Sequence, residues 1–375
     1  MLIRCMDCND RQVYHHSIKN CRTCRSDWLS IEYDYETIKN KRDHIFNGAV
    51  NKLSKYRDLL PLSSDLIDLN EGGTPLMYSD VLSKKLGFHL YVKDESKNPN
   101  TRTFKDRGAA LAISGYKEMG VSKVAVFTTG NIGMAYSCYG NEADLKTYIF
   151  IPDNVEKEKI SYIQQFKNAY LFENSGDYNA AKMRAVDYAK KNNIHMDRGV
   201  KSIFRRESKK TIAYEIFEQL NFKFPDWFFQ AISGGIGPLG VDFGFSELLK
   251  LGYKGKLPKL GCIQIANCSP MVKAFKEKSS RYEKIDNPDT PLLTLATGNP
   301  IAYPKLYDRV VSTNGIFESV SMNETIDAYN LLRSENFDVG YTSSVAFAGI
   351  IRASEANLIS EDETVIFLNS GGDNR

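Results

Sequence analysis

The chain has 375 residues with a net charge of +3, 42% hydrophobic and 25% charged residues. That length accommodates two domains, each with its own core, in a soluble globular composition. So small a positive excess leaves no footprint for nucleic acid or an acidic membrane surface. No apolar run reaches the length of a membrane span, and residues 1–10 lack a signal peptide's apolar core, so the expected location is the cytoplasm.

The chain opens on Cys5-x2-Cys8 and Cys21-x2-Cys24, with twelve residues between the pairs. Two turns that each offer two thiolates suit a tetrahedral ion, so residues 1–30 read as a zinc-ribbon-like segment with these four ligands. Free thiols or a metal-free ribbon are the plain alternative. His15 and His16 are second choices as ligands. Cys138, Cys262 and Cys268 lie in apolar stretches and read as small core residues. Helical stretches follow around 35–42 and 50–57, then a turn cluster over 70–76. From there strands are predicted at 88–93, 123–128, 146–151, 170–172, 227–232, 259–265 and 364–369. Helices are predicted at 105–118, 132–140, 156–166, 178–192, 211–220, 238–250, 323–334 and 344–355. Alternating strands and helices predict an α/β protein with parallel sheets covered on both faces, with ligands beyond the carboxyl ends of the strands.

Within Asn98-Pro99-Asn100-Thr101-Arg102-Thr103-Phe104-Lys105-Asp106-Arg107-Gly108, Lys105 stands among turn formers and opens a helix. That is an odd place for a solvated charge and a suitable one for an amine forming a Schiff base with an aldehyde cofactor. Ser233-Gly234-Gly235-Ile236-Gly237-Pro238 follows an apolar strand and precedes a helix, with Pro238 at its first position. Its backbone N–H groups form a phosphate cup or, on the plain reading, a tight turn without a ligand. It lacks the Gly-Lys-Ser/Thr of a nucleotide loop and the glycine spacing of a dinucleotide fingerprint. Thr128-Thr129-Gly130-Asn131 has the same placement and suits a carboxylate or an ordinary helix cap. Ser370, after the last strand, offers a neutral hydroxyl to a ring nitrogen or belongs to a C-terminal turn.

Together Glu71-Gly72-Gly73-Thr74-Pro75-Leu76, Lys93-Asp94-Glu95 with Asn98-Pro99, Thr103-Phe104-Lys105-Asp106-Arg107-Gly108, Thr129-Gly130-Asn131, and Lys210-Thr211 with Glu215-Ile216 resemble threonine synthase and its relatives. These are pyridoxal-phosphate enzymes of the tryptophan-synthase-β fold, fold type II, and some carry a Cys-pair ribbon. The second half is more similar to cysteate synthase, through Pro225-Asp226, Phe229-Gln230-Ala231, Ser269-Pro270-Met271-Val272, Gly298-Asn299-Pro300 and the ending Ser370-Gly371-Gly372-Asp373-Asn374-Arg375.

The resemblance implies a ribbon (1–30), a large cofactor domain in two parts (31–110 and 203–375) and a small substrate domain (111–202). It implies Lys105 as Schiff-base and proton-transfer group, Asn131 on the cofactor's phenolic oxygen, Ser233, Gly234, Gly235, Ile236 and Gly237 around its phosphate, and Ser370 at its pyridine nitrogen. Thr128, Thr129, Gly130 and Asn131 would hold the substrate carboxylate, and Arg102 an anionic substrate group. Arg205, Arg206, Lys209 and Lys210 are candidates for the leaving phosphate, against a reading as a solvated helix approach for at least two of them. Ile132 and Met134 replace small hydroxyl residues, which implies an altered substrate pocket. Ile236 stands where a hydroxyl residue is frequent. The implied reaction removes phosphate from a phospho-amino acid through an aminoacrylate-type intermediate and adds a nucleophile at Cβ. Cysteate synthesis from O-phospho-L-serine and sulfite comes first. Threonine synthesis from O-phospho-L-homoserine and water is the alternative, with β-replacement or dehydration of an unphosphorylated amino acid behind it. A zinc-ribbon binding protein on an inactive scaffold is the rival from another class. The implied assembly is a homodimer with small-molecule ligands and neither nucleic acid nor membrane as partner.

Overall fold

A computed structural model of the protein describes residues 1–174 and 178–372. Asp373, Asn374 and Arg375, which close the C-terminal string quoted above, lie outside the described residues. Strands β1 (Leu2–Cys5), β2 (Arg11–Val13) and β3 (Leu29–Glu32) form an antiparallel ribbon in the order β2-β1-β3. They are followed by β4 (Leu76–Tyr78), β5 (His89–Asp94), β6 (Lys123–Phe127), β7 (Lys146–Pro152), β8 (Ala169–Asn174) and β9 (His195–Met196). The remaining strands are β10 (Trp227–Ala231), β11 (Lys259–Ile265), β12 (Ile316–Val320) and β13 (Thr364–Asn369). They build a six-stranded sheet, β12-β11-β10-β13-β5-β4, and a four-stranded parallel sheet, β8-β7-β6-β9.

The central strand β10, Trp-Phe-Phe-Gln-Ala, is buried at every residue, because helices cover both faces of the large sheet. The predicted strands form at their predicted places. The sheet is not purely parallel, however: β4 pairs antiparallel with β5 along one edge. Its three residues are too short a run to alternate visibly. Strand β12 and the helices Pro270–Lys276 and Tyr303–Ser312 fill a stretch without prediction. The predicted helix at 35–42 divides into Tyr35–Lys39 and Arg42–Ile45, and 50–57 becomes a 3-10 turn over Leu53–Leu59. The helix after β10 starts at Ile236, so Pro238 is its third residue, still a position whose N–H has no intrahelical acceptor.

The ribbon does not stand apart. Ile3, Cys5, Cys21, Leu29 and Ile31 join Ile212, Tyr214, Leu239 and Phe245 in one buried cluster with the large sheet's helices. Each such aliphatic side chain removed from water contributes roughly 1.5–3 kcal/mol. β3 carries the ribbon beyond residue 30, and the helix Lys105–Glu118 runs across the implied boundary at 110/111. Its residues Ala109–Ile113 pack into the core of the four-stranded sheet, with Val124, Ala135 and Tyr136. Ile132 and Met134 lie in that same core, only 7% and 4% exposed. They fill space beneath the helix Asn131–Glu142. No helix among the described residues is long and apolar enough to cross a membrane.

Candidate active site around Lys105

Parallel strands leave their carboxyl ends on one edge, and the singled-out segments gather there. β10 and β13 are neighbours in parallel register, so Ser233 and Ser370 follow adjacent strands. β5 is the next strand after β13, with Asn369 opposite Asp94. The chain leaving β5 turns through Glu95–Lys97 and enters the helix Lys105–Glu118. Thr103 bridges to Gly371, and the Phe104 N–H donates to the Ser370 carbonyl at 3.1 Å. The last strand thus fixes the residue before Lys105. The helix Asn131–Glu142, which carries the Thr128–Asn131 turn on its N-terminus, packs beside the helix of Lys105.

A buried ion network holds this turn in place. The Arg107 guanidinium donates to Glu95 at 2.7 Å and to Glu215 at 2.5 and 2.7 Å. Lys93 donates to Glu215 at 2.6 Å and to the Thr74 carbonyl at 2.6 Å. Thr74 and Asn98 donate to Glu95, and the Gly73 N–H donates to Glu215 at 2.9 Å. Arg107, Lys93, Glu95 and Glu215 have no exposed side-chain surface. Burial alone would raise the Glu215 carboxyl, but Arg107 and Lys93 hold it down at about 2. Against its own desolvation, Arg107 is held well above its ordinary value by Glu215 and Glu95. Gly73 has a left-handed φ of +59°, and a Cβ there would strike the Asn51 backbone at 2.2 Å. Most of the family string is therefore framework for the lysine.

Among the described residues, no carboxylate pairs with Lys105. Its Nζ stands 4.2 Å from the centre of the Phe104 ring, and the Lys209 Nζ stands 4.5 Å from the same ring. Lys209 also donates to the Phe104 carbonyl at 2.6 Å. Burial of the amine, with Arg205 nearby, lowers Lys105 to about 7. Lys209 is pushed well below its ordinary value by burial and then by Lys105. Arg205 is held by Asp197 at 2.8 Å, and Asp197 also accepts from Tyr116 at 2.7 Å, Tyr136 at 2.8 Å and the Gly199 N–H at 2.8 Å.

The four cations expected near a leaving phosphate therefore separate. Lys209 shares the Phe104 ring with Lys105, and Arg205 acts on Lys105 electrostatically. Arg206 donates to the Leu29 carbonyl of the ribbon, and Lys210 pairs with Glu207 at 2.6 Å and Glu247 at 2.9 Å. The solvated reading is corrected as well: none of the four side chains is in open solvent, because carboxylates and carbonyls of distant segments receive them. Arg102, expected on the substrate side, pairs with Asp338 from a left-handed backbone at φ 53°.

In the cup, Gly235 adopts φ +85°, and as N-cap of the helix Ile236–Lys250 it offers no side chain to the first N–H groups. Uncapped N–H groups at the end of a long helix fit a bound phosphate. The Ser233 hydroxyl is 2.5 Å from the Thr297 hydroxyl, next to the Gly298-Asn299-Pro300 string. The Ser370 hydroxyl meets Ser343 at 3.1 Å, and the Ser370 N–H donates to it at 3.0 Å. At the other turn, the Gly130 N–H donates to the Thr128 hydroxyl at 3.0 Å, and the Lys159 stem lies where a Gly130 Cβ would be. Thr297, Ser343 and Lys159 escaped sequence reasoning; only Thr297 had a signal, the string beside it.

At the ribbon, the Sγ atoms of Cys5, Cys8, Cys21 and Cys24 all lie within 4.8 Å of one another. The Asp7 and Thr23 N–H groups donate to Cys5 and Cys21 at 3.4 Å. Four converging thiols with backbone donors fit a tetrahedral ion. The His15 and His16 rings lie 4.3 Å apart and tilted by 30°, and the group of convergent ligands consists of the four thiols without them. Cys138, Cys262 and Cys268 are buried, as expected.

Comparison with known proteins agrees with this architecture. A family model described as pyridoxal-phosphate dependent enzyme matches residues 67–371. The chain is 31% identical to the threonine synthase of Methanocaldococcus jannaschii, over 99% of this chain and 92% of that protein. It is 30% identical to the threonine synthase of Methanosarcina acetivorans, over 98% and 91%. In structure it is similar to the processed form of threonine deaminase isoform 2 from Solanum lycopersicum, with a TM-score of 0.68, 20% identity and 80% of each chain covered, which speaks for the fold. The chain thus belongs to the pyridoxal-phosphate-dependent enzymes, as a threonine synthase-like lyase.

Proposed function

We propose that the protein removes phosphate from O-phospho-L-homoserine and adds water at Cβ, giving L-threonine and phosphate. The observation that carries this reading is the Lys105 amine, lowered to about 7, with the Lys209 amine at the same Phe104 ring and the Arg205 guanidinium acting on it. A neutral amine takes a proton from Cα, and neighbouring basic groups receive a departing phosphate. Pyridoxal phosphate, when bound, supplies the sink for the electron pair left at Cα. In this reading Lys105 holds the cofactor and moves the proton, and Ser233–Gly237 bind its phosphate. Ser370, oriented by Ser343, faces its ring nitrogen. Asn131 bonds its phenolic oxygen, and Thr128, Thr129, Gly130 and Asn131 hold the substrate carboxylate. Arg102 is left out, since Asp338 engages it. The body around the four-stranded sheet acts as substrate domain, and the body around the six-stranded sheet as cofactor domain. Zinc on the four cysteines and a homodimeric assembly complete the proposal.

Cysteate formation from O-phospho-L-serine and sulfite is the second reading. It is favoured by the position of the Gly298-Asn299-Pro300 string, whose neighbour Thr297 touches Ser233 in the cup. Phosphate release from O-phospho-L-homoserine and from O-phospho-L-serine, the latter with and without sulfite, separates the two readings when products are identified. Threonine from the first supports the leading reading, and cysteate from the second supports the other. Release of phosphate from neither sinks both. Metal analysis of the purified protein finds about one zinc per chain if the ribbon is loaded.

A further inference from the structure

The ribbon grips the rest of the chain at two places, and both grips end at the glycine cup. At the first, Lys305 of the helix Tyr303–Ser312 pairs with Asp7 and donates to the Met6 carbonyl at 3.1 Å. Met6 and Asp7 stand between Cys5 and Cys8, and the Asp7 N–H donates to the Cys5 Sγ at 3.4 Å. Ser26, just past Cys24, donates its hydroxyl to the same Asp7 carboxylate and accepts the Trp28 N–H at 3.0 Å. Asp7 thus joins both turns of the ribbon to one lysine. Leu306, next to that lysine, packs on the cup. Its Cδ2 lies 3.1 Å from the place a Gly235 Cβ would take, with the Ala302 Cβ at 3.8 Å. At the second place, the buried Arg206 guanidinium spans two carbonyls, that of Leu29 in β3 and that of Val200 at 3.4 Å. Lys201 adds a bond to Asp27 at 2.7 Å. Val200 packs on the neighbouring glycine, its Cγ1 3.0 Å from the place a Gly234 Cβ would take.

We propose that Lys305 and Arg206 are positioning residues for the cofactor's phosphate: anchored on the ribbon, they hold Leu306 and Val200 against Gly235 and Gly234 and so fix the course of the cup. Glycines bring no side chain to hold their own conformation, so the cup takes its shape from what packs on it. N–H groups that converge on one anion lose bonds when their backbone shifts, and bonds to a charged group are the strong ones. The ribbon therefore acts on cofactor retention as well as on general stability. Adhesion alone would weaken everything the chain binds to the same degree, whereas positioning of the cup acts selectively on the phosphate. The inference rests on the reading above in which Ser233–Gly237 hold that phosphate.

The test is equilibrium dialysis of the full-length holoenzyme, loaded with pyridoxal phosphate or with pyridoxal, with retention read from the cofactor's absorbance. The ratio of the two affinities isolates the phosphate, since the rest of the cofactor is common to both, and turnover is not needed. The parent protein is expected to prefer pyridoxal phosphate. Lys305→Met and, separately, Arg206→Met should narrow that preference about tenfold, the loss of about one hydrogen bond to a charged group. Lys305→Arg, which can still reach Asp7, should restore it. An unchanged ratio in either Met variant overturns the inference, and so does equal weakening of both cofactors. The Lys305 side chain is 17% exposed, so Lys305→Met decides the matter should Arg206→Met not fold. Gly235→Ala, which forces a side chain into the cup itself, keeps the two readings apart. If it leaves the preference intact, the phosphate sits elsewhere and the reading of the cup falls together with this inference. If it abolishes the preference while the Met variants keep it, the inference alone falls.

Discussion

Arg107 and Lys105 are two residues apart on one helix, the first fully buried and the second half-buried, and their surroundings do opposite things to them. Arg107 meets two carboxylates and is locked in its charged form. Lys105 meets an aromatic ring and two other cations and is brought to about 7. The same helix thus carries a fixed charge for architecture and a labile one for chemistry. Apart from the neighbouring Phe104 ring, the difference comes from residues contributed by other segments. A buried pair survives because both partners are present, and a buried amine without a partner sheds its proton instead.

The comparison can be broken first at Lys105. Lys105→Ala should lower turnover by about 10⁴-fold while thermal melting stays near that of the parent protein, since no ion pair is lost. Borohydride treatment followed by peptide mass spectrometry should attach the cofactor to Lys105, and attachment elsewhere would refute its role. The opposite pattern is expected at the framework. Glu215→Gln leaves Arg107 and Lys93 short of a partner and should cost about 3–5 kcal/mol in urea denaturation. A loss below about 1 kcal/mol would show that the network is dispensable.

The pH dependence sharpens the contrast. Turnover should rise through about pH 7 as Lys105 loses its proton. The folded Lys105 sheds its proton near 7, whereas the unfolded one keeps it into the ordinary lysine range near 10.5. Its contribution to stability therefore rises with pH across that window. Arg205→Gln removes a neighbouring cation, so the rate profile should move to higher pH; an unmoved profile would separate Arg205 from Lys105. The smallest effect is expected for Thr211→Val, which removes one hydroxyl acceptor at 3.0 Å from Arg107 and should cost about 1 kcal/mol with the profile unchanged.

Much of this frame was legible in the sequence. The helix from Lys105 and the strands at 123 and 259 show their periodicity locally, and both glycine turns announce themselves by position. What escaped depends on contacts between distant segments. The run Arg205, Arg206, Lys209, Lys210 looks like a solvated face because Asp197, Leu29 and Glu247 are not adjacent to it in the chain. Ile132 and Met134 stand where the resemblance has small hydroxyl residues, and only the fold shows that they join the buried cluster of the four-stranded sheet. β4 and β9 are too short to carry a pattern, and only pairing with β5 and β6 makes them strands.

The ion network also has an order in time. Lys93 and Glu215 are separated by 122 residues, and Arg107 and Glu215 by 108. Contacts across such spans close late, because a long loop must be ordered before they form. As the chain leaves the ribosome, Lys93, Glu95 and Arg107 emerge long before Glu215, so only one carboxylate can serve two cations. The arrival of Glu215 closes the network around the lysine turn and makes the reactive centre one of the last places to become native.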